Sequence, residues 1–147
     1  LVRALRQHRP EVVLCMDPTR FLAGEHYINH PDHRAAAQAA MDAVAPACAM
    51  PLLWPETGES HRVRQVYVYR HEEPNCWVDI SDTIDKKIEA LRKHVSQMGD
   101  WDPTDMIRER SAETGEEQGL PYAEAYMVIT LERDRDDEEE EQENASE

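Results

Sequence analysis

The stretch HYINHPDH, residues 26–33, places three histidines in eight positions, with a proline and an aspartate among them. Imidazole ligates metals and moves protons near neutral pH, and a neighbouring carboxylate can fix which ring nitrogen carries the proton. The chemistry open to these residues is metal-assisted hydrolysis or proton transfer. The competing reading is a histidine-rich surface turn that does neither. Pro31 suits the first position of a helix, where its missing N–H costs nothing. Asn29 or His30 is then the N-cap, and His33 falls on the first turn. There the helix dipole disfavours positive charge, and the neutral ring is the form a metal takes. His30 leans over the same helix end, and Asp32 lies between the two as an orienting carboxylate. His26 reads as a bystander, although a metal site recruiting His26 with His30 and His33 is a weaker rival. A catalytic zinc takes about three protein ligands and a water, so the cluster is a partial set.

The elements that must position these residues follow from apolar patterning. Residues 1–9 read as a helix with Leu1, Val2 and Leu5 on its apolar face, and Arg3, Arg6 and Arg9 toward the end where the dipole favours cations. Pro10 stops it. EVVLCMD, residues 11–17, is a continuous apolar run, the pattern of a strand buried on both faces. It ends at the Asp-Pro-Thr turn. Residues 20–29 read as loop, and the alanine-rich stretch from Pro31 to Pro46 as helix. A proline-spaced loop covers 46–62. Strands are expected at 63–70 and 76–81. Ser81 or Asp82 should cap a helix to about residue 97 whose stripe is Ile84, Ile88, Leu91 and Val95. Another helix should run from Asp102 or Thr104 to Gly115 or Gly119, and 122–132 is a last apolar segment, more strand than helix toward its end. The order α-β-α-β-β-α-α-β implies an α/β sandwich with a partly parallel sheet. Ligands in such sheets sit beyond the carboxyl ends of the strands, where the histidine loop begins.

The chain has 147 residues, 31 acids against 16 bases, and a net charge of -15. Residues 132–147 contribute 10 acids and 2 arginines, about half of that charge, and read as a disordered acidic tail after a single domain spanning 1–131. The acidic remainder argues against nucleic acid as the main ligand. No apolar run approaches the ~18 residues of a membrane span. Cys15, Cys48 and Cys76 form no CxxC pair, which argues against a disulfide framework or zinc finger and for a reducing cytoplasm.

HPDHRAAAQAAMDA resembles the second motif of the PIG-L/LmbE-like deacetylase family, also called GlcNAc-PI de-N-acetylase-like. DPTRF, EEPNCWVDISDTIDKKIEAL and GLPYAEAY resemble further stretches of its bacterial members, in the same order. The resemblance covers nearly the whole chain except the tail. It implies a Rossmann-like three-layer fold with a mostly parallel sheet, and zinc-dependent removal of the acetyl group from a small N-acetyl sugar or glycoside. By position, His33 is a zinc ligand, His30 assists the transition state or leaving group, and Asp32 orients His30. The short apolar runs lead to no expected membrane partner, and homo-oligomer formation is left open. The family's other two zinc ligands and its general base come from an AHPDD motif, which this sequence does not contain. The expectation is therefore a chain missing the family's N-terminal strands, either part of a deacetylase or a non-catalytic remnant of the fold.

Around the site, Asp17 and Thr19 are candidates to line a pocket. Glu72, Glu73 and Asn75 belong to a turn that could border substrate. Tyr122 and Glu124 read as packing residues or as a rim, and Trp54, Trp77 and Trp101 as core or lid.

Overall fold

The computed structural model describes residues 1–131 except Gly24; the acidic stretch 132–147 lies outside the described residues. Two compact units emerge: Leu1–Glu73 with the segment from Met127, and Pro74–Tyr126. Five α-helices among the described residues accompany a mixed sheet, an α/β fold.

In the first unit, α1 (Val2–His8) ends at Arg9 in a left-handed conformation, whose N–H bonds back to Leu5 O. β1 (Val12–Met16) follows. Its period-2 alternation sends Val13 and Cys15 toward α2 (Pro31–Val44), where they pack with Val44, Ala40 and Met41. The opposite side chains, Val12 and Leu14, are 38% and 60% exposed. β1 is thus covered on one face, not on both as its unbroken apolar run implied. A short hairpin of β2 (Leu22–Ala23) and β3 (Tyr27–Ile28) occupies the segment expected to be loop. β4 (Gln65–Tyr69) pairs parallel with β1, from Val12 opposite Gln65 to Met16 opposite Tyr69, and buries Val66 and Val68 in the same core.

Arg6, expected only as a dipole partner, is 4% exposed. Its guanidinium bonds to the carbonyls of Cys48, Ala47, Met50, Trp54 and Gly58 and to Thr57 Oγ1, at 2.7 to 3.3 Å. One side chain thereby satisfies the irregular 47–58 loop, whose backbone has little regular structure to bond to. Trp54 lies in that loop and is half-exposed, so it is no core residue, and neither is half-exposed Trp101.

In the second unit, β5 (Cys76–Asp79) pairs antiparallel with the first half of β6 (Ala123–Thr130), Cys76 opposite Tyr126 and Asp79 opposite Ala123. Asp79 Oδ1 accepts from the Ser81 amide and hydroxyl, so the turn before α3 (Ile84–Arg92) is closed by an aspartate upstream of the expected cap. Ile80, Ile84 and Ile88 form a core with Ile107 and Tyr122. The helix stops short of the expected 97 because Lys93 and His94 bond to the carbonyls three residues back, tightening the last turn. Val95 begins the short α4 (Val95–Met98) and is 68% exposed. α5 (Thr104–Glu116) ends where a Cβ on Gly115 would lie 2.3 Å from Leu120 O, so only glycine fits.

No helix among the described residues is long and apolar enough to cross a membrane. Replacing Arg6 by Met should leave several buried carbonyls unpaired and cost about 3 kcal/mol of unfolding free energy. Urea denaturation followed by circular dichroism measures this. An unchanged midpoint would refute the role assigned to Arg6.

Candidate functional site

The site starts where β1 ends. The Asp17 amide continues the ladder to Tyr69 O at 3.2 Å, and Asp17 Oδ1 then accepts from the Thr19 amide and hydroxyl at 2.7 and 2.6 Å. This side-chain turn ends the strand and starts the loop. Asp17 is 5% exposed and helps line a cavity of roughly 90 Å³ with Met16, Arg20, Tyr27, Asn29 and Arg70. Asp17 and Thr19 also line a second, more open groove of roughly 450 Å³, and neither His30 nor His33 is among the residues lining either cavity.

Asn29 returns the loop to the helix. Its amide bonds to Phe21 O, its Nδ2 to Arg20 O, and its own carbonyl accepts from Arg34 Nε. Arg34 also lies 4.3 Å over the Phe21 ring. Asn29, 5% exposed, had been one of two candidate caps. It is instead the tie that holds the hairpin to α2, and His30 takes the cap. His30 Nδ1 accepts the Asp32 amide at 3.2 Å, and Pro31 follows at the first helical position. The Asp32 carboxylate is 3.6 Å from the same nitrogen, and its side chain is 86% exposed. The backbone of Asp32 thus orients the ring more directly than its carboxylate does. His33 lies alongside, with its ring centroid 5.6 Å from that of His30 at a tilt of 53°. Its Nδ1 is shielded and has no hydrogen-bond partner. His26 is exposed on the turn between β2 and β3. It does not join the other two, since no three His, Cys, Asp or Glu side chains gather among the described residues to hold an ion.

The chain is 32% identical to a diacetylchitobiose deacetylase of Thermococcus kodakarensis over 142 residues, which covers 88% of this chain and 49% of the relative. The fold superposes on N,N'-diacetylchitobiose deacetylase from Pyrococcus horikoshii, bound to an inhibitor, with a TM-score of 0.72, 28% identity, and the same two coverages of 88% and 49%. The chain is thus similar, over 88% of its length, to deacetylases of the PIG-L/LmbE-like family. A conserved protein of Thermus thermophilus matches with a TM-score of 0.68 and 27% identity, over 90% of this chain and 58% of that one. The chain spans about half the length of the curated relative it matches. No family model matches it.

Deacetylases of this family are metal-dependent. The unpartnered Nδ1 of His33 fits a ring with a nitrogen to give. The described residues as a set do not fit a complete metal site, because only the imidazoles of His30 and His33 stand together at the helix start.

Elsewhere, Glu72 and Glu73 line the open groove, and Tyr122 packs in the isoleucine core with Arg108 over its ring at 5.7 Å. Glu124 pairs with Lys87 at 2.6 Å and accepts from the Tyr126 hydroxyl. Burial pushes its carboxyl up, but the bonds from Lys87 and Tyr126 outweigh that and hold it below the ordinary value.

Two outcomes follow. His30→Ala should lose the cap and about 1 kcal/mol, whereas His30→Asn should keep most of it; denaturant titration of both variants decides this. A carboxyl held low in the folded state stabilises above its unfolded value, and that stability is lost as pH falls through the lowered folded value. The wild type should therefore lose more stability than Lys87→Met as pH drops through the carboxylate range. Parallel acid slopes in the two proteins would exclude a contribution from this pair.

Proposed function

We propose that this chain forms part of a zinc-dependent N-deacetylase that hydrolyses the acetamide of an N-acetylglucosamine-type substrate. The observation that carries the reading is the HPDH helix start, with His30 capping through Nδ1 and His33 beside it with an unpartnered ring nitrogen, in a chain similar to a deacetylase. His33 is assigned as one metal ligand. His33 would give such a zinc one nitrogen ligand, and the metal, if held, would supply polarisation of the amide carbonyl and an activated water.

His30 does what its cap dictates. With Nδ1 engaged as an acceptor, the neutral ring carries its proton on Nε2. That N–H can stabilise the amide oxygen as it gains charge, or pass a proton to the departing amine. The Asp32 amide keeps the ring in this tautomer. Breaking an amide without leaving a bare amide anion requires such a donor.

A second reading concerns the 147 residues taken alone. The lack of a three-donor cluster among the described residues and the absence of AHPDD favour a non-catalytic module of the same fold. Metal content and amine release from N-acetylglucosamine, measured on the protein at its natural full length and on the 147-residue chain, separate the two. The deacetylase reading expects His33→Ala to lose metal and activity together. It expects His30→Asn to keep the metal while kcat falls by about a hundredfold or more. A His33→Ala protein with undiminished metal and activity would sink the assignment.

A further inference from the structure

The short hairpin that carries the chain from β1 to the histidines has no core of its own. Leu22, Tyr27 and Ile28 are all exposed, so apolar burial does not hold it in place. A pair of strands this short is marginal alone in water. The residue that meets both of its ends stands on α2, directly after His33. The Arg34 guanidinium lies 4.3 Å over the ring of Phe21, just ahead of β2. Its Nε donates at 3.1 Å to the carbonyl of Asn29, just after β3. Its backbone amide donates to His30 O at 3.2 Å.

An arginine in the first turn of a helix is unfavourable by itself, because the dipole there disfavours positive charge. Its contacts supply the reason for it. The carbonyls of Asn29 and His30 belong to the peptides on either side of the His30 Cα. Arg34 grips both, the first through its side chain and the second through its amide. With both planar peptides held, the two backbone torsions of His30 are fixed, and the Nδ1 bond to the Asp32 amide fixes the ring. Lysine lacks the means to do this. A guanidinium lays its flat face on an aromatic ring while an N–H in its plane donates sideways, whereas an ammonium is a single point of charge. We propose that Arg34 is a positioning residue: wedged between the Phe21 ring and the Asn29 carbonyl, it sets the direction in which the Nε2–H of His30 is presented to the reacting amide. It touches no reacting atom and acts through His30. The proposal rests on the deacetylase reading and adds to it the residue that aims its donor.

The test uses the protein at its natural full length, with amine release from N-acetylglucosamine as the assay and Arg34→Lys, Phe21→Leu and Phe21→Tyr as variants. Arg34→Lys should lower kcat about tenfold or more, with KM within about twofold and metal content unchanged, as expected when a catalytic group is misaimed rather than removed. Phe21→Leu should lower kcat roughly threefold, the worth of one partly exposed cation–π contact, and Phe21→Tyr should keep the wild-type value because the ring is retained. Adding Phe21→Leu to Arg34→Lys should cost little more, since both act on one interaction. Nitrogen-15 spectra of the imidazoles give a readout that stability alone does not move. His30 should be one tautomer, with its proton on Nε2, in the wild type. It should be a mixture in Arg34→Lys and Phe21→Leu, where a loosened ring lets go of the Asp32 amide. Phe21→Leu, at a half-exposed position, carries the test should Arg34→Lys not fold. An unchanged kcat, a loss confined to KM, a loss of metal that accounts for the lost activity, or a His30 tautomer unmoved in the variants would each overturn the proposal. If the wild type releases no amine while its single tautomer gives way in the variants, the deacetylase reading fails and the positioning of His30 stands.

Discussion

The parallel register between β1 and β4 is the constraint on which the site depends. Pairing from Val12 to Met16 carries the ladder one step further, to the Asp17 amide on Tyr69 O, and the Asp17 carboxylate then turns the chain. Slipping that register by one residue would move Cys15 and Val13 off the core face and the Asp17 turn off its support. Everything from Thr19 to His33 hangs from this point. The hairpin is too short to stand alone, with two paired positions, and it is held by Asn29 at one end and the turn at the other. The geometry of the histidines is thus set by backbone hydrogen bonds to β4 and by one buried amide, with little help from their own contacts.

His30 shows how one side chain can serve two ends. As an N-cap it must accept from the Asp32 amide, and that demand selects the tautomer that leaves Nε2–H available. Folding therefore leaves an N–H donor on the far side of the ring. An asparagine could cap equally well but has no ring N–H opposite the accepting atom, which sets the two residues apart at this helix start.

Local pattern made part of this legible. Pro31 before an alanine-rich run located α2 and narrowed its cap to two residues, and HPDH with three further stretches carried the family resemblance. Other features have no local trace. A continuous apolar run such as 12–16 cannot say which side of a strand is covered, so Leu14 was wrongly assigned to the interior. Two-residue strands leave no periodicity to read. Arg6 bonds to partners 41 to 52 residues away, and Lys87 meets Glu124 at a separation of 37. Asn29 stood one place from a recognised motif, yet only burial marks it as a structural tie. His26 read as a bystander, and the hairpin turn keeps it on a separate, exposed segment.

The partners of Arg6 have a consequence for how the molecule meets its surroundings. Nearly every acceptor on that guanidinium is a main-chain carbonyl and none is a carboxylate. Carbonyls neither titrate nor attract counterions, and guanidinium keeps its proton throughout the usual range. The junction between α1 and the 47–58 loop is therefore indifferent to acid and to ionic strength, in a chain that is otherwise strongly acidic. The half-exposed Lys87–Glu124 pair has neither immunity. As acidity or salt rises, the unit around β5 and the first half of β6 should loosen first, while the unit built on α1, β1 and β4 keeps its hold.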